Sequence, residues 1–204
     1  FVALLTTGIF TQTIKHLVGR PRPNHALDTD FSKINFFSFD SSLHSFPSGH
    51  TSTIFTAALV LSVLTPRIKY FYIFFASLVA ISRVVVGAHY FTDVVGGVAI
   101  AFFGIKLSLS ILKKLGLIKN IFVVKKINSS NIILTIIILI IGVIFISVGS
   151  SVDIYVSGLF YKGEKTFLLQ SFYLITVIFR KILLPFLLVY LLVLPFFSLF
   201  LPIK

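Results

Sequence analysis

The chain has 204 residues, of which 57% are hydrophobic and only 12% charged, with a formal net charge of +12. A soluble domain averages about 45–50% apolar and about 25% charged residues, so this chain lacks the charge to cover a water-exposed surface, and its composition points to an integral membrane protein. The lack of cysteine excludes disulfides, thiolate metal sites and thiol catalysis, and leaves the redox compartment open.

A spanning helix needs roughly 20 mostly apolar residues. In chain order, Phe1 to Ile14 is a partial span with neither the basic leader nor the cleavage-type end of a signal peptide. Methionine is absent even at position 1, which reads as a truncated, processed or rearranged start. A long polar loop, Pro21 to Pro47, precedes three apolar runs: Thr51 to Thr65, Tyr70 to Val86 and Val94 to Leu112. A basic linker, Lys113 to Asn131, leads to Ile132 to Val148, and a second polar loop is expected from Gly149 to Lys165. Phe167 to Phe179 is apolar but short and ends at Arg180 and Lys181, as an interfacial helix does. Ile182 to Leu201 is a further span, since membrane helices tolerate residues such as Pro185 and Pro195. The expected fold class is all-α, a polytopic membrane bundle of about six transmembrane helices.

Charge orients this bundle. If Lys113, Lys114, Lys119, Lys125 and Lys126 are cytoplasmic, alternation puts Lys106, Arg67, Lys69 and Lys204 on that side as well. It then holds nine basic residues and no acidic one, while the other side holds nine basic residues and all six acidic ones. That distribution agrees with the positive-inside rule. Polar clusters at Lys15 to Pro23, Phe46 to His50 and Arg83 to Asp93 are separated by one helical hairpin, so all three emerge on the same, non-cytoplasmic face and can form one site.

The first cluster reads KHLVGRPRP. Lys15 and Arg22 put fixed positive charge at a membrane helix end, and Pro21 and Pro23 stiffen the exit; interfacial snorkelling accounts for these charges equally well. In the second, Phe46-Pro47-Ser48-Gly49-His50 forms a turn into an apolar helix. Its free backbone N–H groups and the helix dipole favour an anion, although such a turn is usually only a cap. In the third, Arg83 ends an apolar run and Gly87 breaks it. His89 and Asp93 are four apart, a spacing that on one helical face lets the carboxylate hold the imidazole N–H. Arg, His and Asp together near a bilayer are expensive, which favours function over structure.

Taken jointly, these residues resemble the type 2 phosphatidic acid phosphatase family, which shares its core with the vanadium haloperoxidases. The family pattern is Lys-x6-Arg-Pro, then Pro-Ser-Gly-His, then Ser-Arg-x5-His-x3-Asp. It is matched by Lys15, Arg22 and Pro23; by Pro47, Ser48, Gly49 and His50; and by Ser82, Arg83, His89 and Asp93. Phe91 departs from it, standing where many members have proline. The resemblance implies that His89 is the nucleophile and becomes a phosphohistidine, that Asp93 orients it, and that His50 protonates the leaving oxygen and then activates water. Lys15, Arg22 and Arg83, with Ser48 and the Gly49 amide, would bind the phosphate. Phosphoryl transfer needs positioning, charge neutralisation and a nucleophile; three cations and a helix start supply these without a cofactor or metal, and the acidic residues are too scattered for Mg²⁺ or Zn²⁺.

Outside the motifs, His16, His25 and His44 read as solvated loop or interface residues. Arg20 could either add to the phosphate field or meet headgroups, and Gly96, Gly97 and Gly104 permit close helix packing. Residues 1–112 form the expected catalytic core, 113–131 a cytoplasmic linker and 132–204 a membrane segment. That last segment, with Asp153-Ile-Tyr-Val-Ser-Gly-Leu-Phe-Tyr, resembles what bacterial family members carry before their lysine motif, which suggests a permuted chain or the start of a second copy completing the bundle; a membrane extension that only anchors or dimerises is the alternative.

The expected function is a membrane phosphatase acting on a lipid phosphate monoester or diphosphate, in a bacterial inner membrane with the site outside the cytoplasm. Phosphatidic acid, phosphatidylglycerol phosphate, undecaprenyl diphosphate and lipid A are candidates. The expected partners are this substrate and membrane lipids. Basic residues at membrane boundaries, without a polar domain to present them, argue against nucleic acid. The alternative is a non-catalytic transporter or scaffold that retains the fold, and the oligomeric state is open.

Overall fold

A computed structural model describes residues 1–26, 34–117, 150–163 and 166–168. Among these, four long helices carry the fold: α1 (Val2–Val18), α3 (Gly49–Leu64), α4 (Lys69–Val85) and α5 (Phe91–Lys114). A short α2 (Pro23–Ala26), 3₁₀ turns at Ser41–Leu43 and Pro66–Ile68, α6 (Ser150–Gly158) and an antiparallel hairpin of β1 (Tyr161–Gly163) and β2 (Thr166–Phe167) complete the described structure. The architecture is mostly helical, and the hairpin departs from the all-α expectation. The predicted spans Ile132 to Val148 and Ile182 to Leu201, nearly all of Phe167 to Phe179, and most of the basic linker lie outside the described residues.

Pro66–Val85 and Phe91–Lys114 are long and apolar enough to cross a membrane; at 1.5 Å per residue a 24-residue helix reaches about 36 Å. The interior is apolar, and large apolar side chains also cover the outer face of α4. On α4, Ala76, Val79, Ala80 and Val84 are buried while Phe71, Phe74, Phe75, Leu78 and Ile81 are exposed. Small residues allow helices to approach closely, and large apolar ones are favoured against lipid. Hydroxyl groups join the buried faces: Thr56 Oγ1 donates to Thr7 Oγ1 at 3.1 Å, and Thr11 Oγ1 and Ser52 Oγ lie 3.0 Å apart.

Helix α5 is the central element, packed against both α1 and α3. A Cβ on Gly97 would come within 2.7 Å of the Ser48 carbonyl oxygen, and one on Gly104 within 3.0 Å of Thr7 Cα, so the backbones touch where only glycine fits. Helix α1 runs four residues past the predicted end at Ile14, to Val18, because Leu17 and Val18 continue the apolar run. Gly19 stops it in the left-handed conformation (φ 57°), its N–H donating to the Lys15 carbonyl. Lys15 is therefore in the last helical turn and not in the exit. The predicted polar loop from Gly149 is replaced at Ser150 by α6, which uses Asp153 in its first turn to dock on the core.

Candidate active site

The three polar clusters converge at one end of the α1–α3–α5 core, around a cavity of about 400 Å³. Lys15 from α1, Arg22 from the following turn, Gly49 and His50 from the start of α3, and Arg83 and His89 from the α4–α5 corner all line it. Gly8, Thr11 and Gln12 extend the wall along α1, and Thr53 along α3. Spacings of three and four place Gly8, Thr11, Gln12 and Lys15 on one helical stripe, so the cavity wall has a cationic part and a neutral part along α1.

Each cation is fixed differently. Lys15 is buried, and its Nζ donates to the His44 carbonyl at 2.6 Å. Arg22 is held through its backbone, whose N–H donates to the Ser42 carbonyl at 3.1 Å, between buried Pro21 and Pro23. Arg83 is buried in the last turn of α4, and its carbonyl accepts the backbone N–H of both Ala88 and His89. That pair of bonds ties the Gly87 turn back onto α4 and sets where His89 stands.

Ser48 caps α3. Its backbone N–H donates to the Asp93 carbonyl at 2.9 Å, and its hydroxyl oxygen accepts from Thr51 Oγ1 at 3.0 Å. The side chain is fully buried, and the residues directly after it, Gly49 and His50, line the cavity. It holds the helix start that presents Gly49 and His50.

His89 is 2% exposed. It does not share a helix with Asp93, as the four-residue spacing suggested, but sits in the turn just before α5. Its Nδ1 lies 2.8 Å from the Ser45 carbonyl oxygen and 3.6 Å from Asp93 Oδ2. A carbonyl can only accept, so Nδ1 carries the proton and Nε2 keeps its lone pair. Asp93 is committed elsewhere. Its Oδ1 accepts from Arg20 Nη1 at 2.6 Å, and its Oδ2 accepts from Ser45 Oγ at 2.5 Å and from the Tyr90 N–H at 2.8 Å. Burial pushes the His89 pKa down to about 4 against the opposing negative charge of Asp93, and Lys15 and Arg22 depress it further. The imidazole is neutral at neutral pH, with its acceptor nitrogen available.

Arg20, left open between phosphate and headgroups, faces neither. It is 5% exposed, bridges Asp93 and Asp153 at 2.6 Å each, and stacks 4.2 Å from the Tyr90 ring; the two carboxylates keep its guanidinium charged. Of the three histidines outside the motifs, only His25 is exposed. His16 Nδ1 and His44 Nε2 both donate to the Ser38 carbonyl, at 3.1 and 2.9 Å, with the rings edge-on at 4.4 Å. This packing buries His44 and aims its carbonyl at Lys15. Ser45 and Asp153 had no signal in the sequence: one acts partly through its backbone, and the other is 133 positions from its partner Arg20. Among the described residues, no three His, Asp or Glu side chains gather as a metal site.

A sequence model of the PAP2 superfamily matches residues 1–117. The chain is 34% identical over 99 residues to the Lipid A 1-phosphatase of Rhizobium etli, covering 48% of this chain and 43% of that protein. It is 35% identical over 99 residues to the Lipid A 1-phosphatase of Rhizobium johnstonii, covering 48% of this chain and 41% of the relative. The match thus spans about two fifths of the length of these relatives. No solved structure gives a significant match.

Proposed function

The chain belongs to the PAP2 superfamily, and from that premise we propose that it is a membrane phosphatase hydrolysing a lipid phosphate monoester or diphosphate through a phosphohistidine. One observation carries the reading: Lys15, Arg22, Arg83, His50 and His89 line a single cavity, and His89 presents a lone pair on Nε2 because Nδ1–H is held by Ser45. In the proposed reaction Nε2 attacks phosphorus as the ester or anhydride P–O bond breaks, and His50 gives its proton to the departing oxygen. His50 then takes a proton from water, which attacks the phosphohistidine and returns inorganic phosphate and free His89.

Lys15, Arg22 and Arg83, with the Gly49 amide at the helix start, neutralise the non-bridging oxygens. Ser48 contributes by capping that helix, and Asp93 by its charge beside the imidazole. The neutral wall formed by Gly8, Thr11, Gln12 and Thr53 would take the first part of the leaving group, while its hydrocarbon stays among the lipid-facing helices. The reading includes residues 1–112 as the core, 113–131 as a cytoplasmic linker, about six spans in all, and a site on the outer side of a bacterial plasma membrane. Lipid A enters the substrate panel because the similar rhizobial proteins carry that name.

The test is phosphate release by detergent-purified protein from phosphatidic acid, phosphatidylglycerol phosphate, undecaprenyl diphosphate and lipid A, with and without chelator. Activity that persists in chelator and disappears in His89→Ala is expected. Full activity in His89→Ala, or its loss in chelator, contradicts the mechanism.

A further inference from the structure

Behind the cavity lies a second ionic layer that the proposed reaction does not use. Asp153, on α6, is 1% exposed. Its Oδ2 accepts from Arg20 Nη2 and from Thr92 Oγ1, both at 2.6 Å, and its Oδ1 accepts from the Thr92 N–H at 3.0 Å. Arg20 Nη1 turns the other way, to Asp93 Oδ1 at 2.6 Å. One planar guanidinium therefore clasps two buried carboxylates, and the second carboxylate is the one that stands beside His89.

The charge count gives this arrangement its chemistry. Arg20 alone would cancel Asp93 and leave nothing negative next to the imidazole. With Asp153 added, the buried trio keeps a net charge of minus one. A neutral His89 attacking phosphorus becomes a phosphoimidazolium, a cation formed where Lys15, Arg22 and Arg83 already crowd the cavity and His50 faces it from α3. A residual negative charge on the opposite side of the ring offsets that cation only while Asp153 is in place.

The contact that delivers Asp153 is extensive. Val156 and Phe160 pack on the hydrophobic core of α3, α4 and α5. Phe167 is 3% exposed and covers Gly87, where a Cβ would come within 2.3 Å of its ring. The Leu168 N–H donates to the Phe160 carbonyl at 2.8 Å, closing the hairpin onto α6. The segment thus presses on the turn that carries His89 while its carboxylate enters the ionic layer.

We propose that Asp153 is a positioning residue for the reaction at His89, acting through Arg20 to keep Asp93 aligned and the buried carboxylate pair net negative beside the imidazole. This rests on the phosphohistidine reading for its kinetic consequence, and on the ionic layer alone for its effect on the imidazole. A purely structural Asp153, one that only caps α5 and docks α6, would affect stability and leave the imidazole unchanged.

The experiment compares the wild type with Asp153→Asn, Asp153→Glu and Val156→Ala, in detergent, with ¹⁵N-labelled histidine. The His89 signal is identified by its loss in His89→Asn. Asp153→Asn keeps an oxygen for the Thr92 N–H, removes the charge and puts an amide NH2 where Oδ2 accepted from Arg20 Nη2 and Thr92 Oγ1. It should shift the His89 protonation midpoint down by roughly one unit and lower kcat for phosphate release about 10–100-fold with little change in KM. Asp153→Glu should restore most of both. Val156→Ala loosens the docking without touching charge, so it should lower the melting temperature and leave the His89 titration in place.

Unchanged His89 titration and kcat in Asp153→Asn would overturn the proposal, as would an equal titration shift in Val156→Ala. If Asp153→Asn does not fold, Arg20→Lys, which retains the charge of the trio but cannot span both carboxylates, must lower kcat through lost alignment of Asp93 while leaving the His89 midpoint near its wild-type value, and an unchanged kcat there overturns the proposal. A wild type that releases no phosphate from any lipid removes the phosphatase reading, while the titration still decides the ionic relay.

Discussion

Ser45→Ala isolates the contact that holds the proposed nucleophile. Ser45 is fully buried, its carbonyl accepts from His89 Nδ1 at 2.8 Å, and its hydroxyl donates to Asp93 Oδ2 at 2.5 Å. Alanine leaves the carbonyl in place and removes the hydroxyl, so one hydrogen bond to a buried carboxylate is lost, worth about 1.5–3 kcal/mol. The space left is a single atom, too small for water to replace it. Oδ2 then keeps the Tyr90 N–H and has one acceptor position free, and His89 Nδ1 stands 3.6 Å from it. Closing that gap to a hydrogen bond of about 2.9 Å draws the ring toward Asp93 by about 0.7 Å and swings Nε2 off line. Misplacement of about 1 Å costs roughly a hundredfold in rate, so kcat should fall about 10–100-fold, or about 1.4–2.8 kcal/mol of barrier. Ser45 does not line the cavity, so KM should stay nearly constant. Steady-state phosphate release with a short-chain phosphatidic acid measures both. A kcat within about twofold of wild type would refute the geometric coupling, as would a loss expressed entirely in KM.

Three further outcomes follow from the same geometry. Between the ordinary His value of about 6.5 and about 4 in the fold, the unfolded chain binds a proton at His89 that the native state does not. Stability therefore rises with pH through that window and is lost as pH falls across it, by about 3 kcal/mol in all; melting temperatures from pH 4 to 7 should show this slope, and His89→Gln should flatten it. Gly97→Ala would push a methyl to 2.7 Å from the Ser48 carbonyl oxygen, so it should cost about 1–3 kcal/mol and reduce kcat by displacing Gly49 and His50. Gly158→Ala, where nothing lies within 4 Å, should leave both unchanged. Orthovanadate, an anion matched to the cationic cavity, should raise the melting temperature, since ligand at 100 times its Kd adds about 2.7 kcal/mol; no shift, or one of equal size in Arg83→Gln, would count against the cavity as an anion site.

The legible parts of this protein are those written in side-chain type and order. Apolar runs near membrane length located α3, α4 and α5 to within a few residues, and the order of the three polar clusters, one hairpin apart, brought Lys15, Arg22, His50, Arg83 and His89 to one cavity. What stayed hidden depends on backbone or on distant partners. His89 Nδ1 is held by a main-chain oxygen of Ser45, which any residue could supply, so no spacing rule could find it. The His89–Asp93 interval looked like a direct contact because four residues make one helical turn, but the helix begins only at Phe91, which leaves the pair beyond hydrogen-bond distance. Asp153 sits in a stretch polar enough to look like a loop, and its polarity is used inward, on Arg20 and Thr92. Membrane proteins invert the usual correlation between polar sequence and exposure, so a polar stretch carries less information about exposure here than in a soluble domain.

That inversion explains how the site divides its charge. In the proposed reaction the cavity wall that Lys15, Arg22 and Arg83 share favours an anionic phosphate group. The same field would oppose the positive charge that His89 would acquire in the proposed attack. Two opposite demands, cationic toward the substrate and anionic toward the nucleophile, must be met within a few ångströms, and screening by water is weak in a buried layer. The fold meets them around one ring: Nδ1 faces the Ser45 carbonyl and Asp93, and the ring lines the cavity that Lys15, Arg22 and Arg83 share. Among the described residues, the second carboxylate that Arg20 holds comes from α6, in the second half of the chain. Deleting Arg20 would not be an equivalent solution, because it would strip Asp93 Oδ1 of its 2.6 Å donor and leave a buried carboxylate half-solvated, which costs more than the pair it replaces.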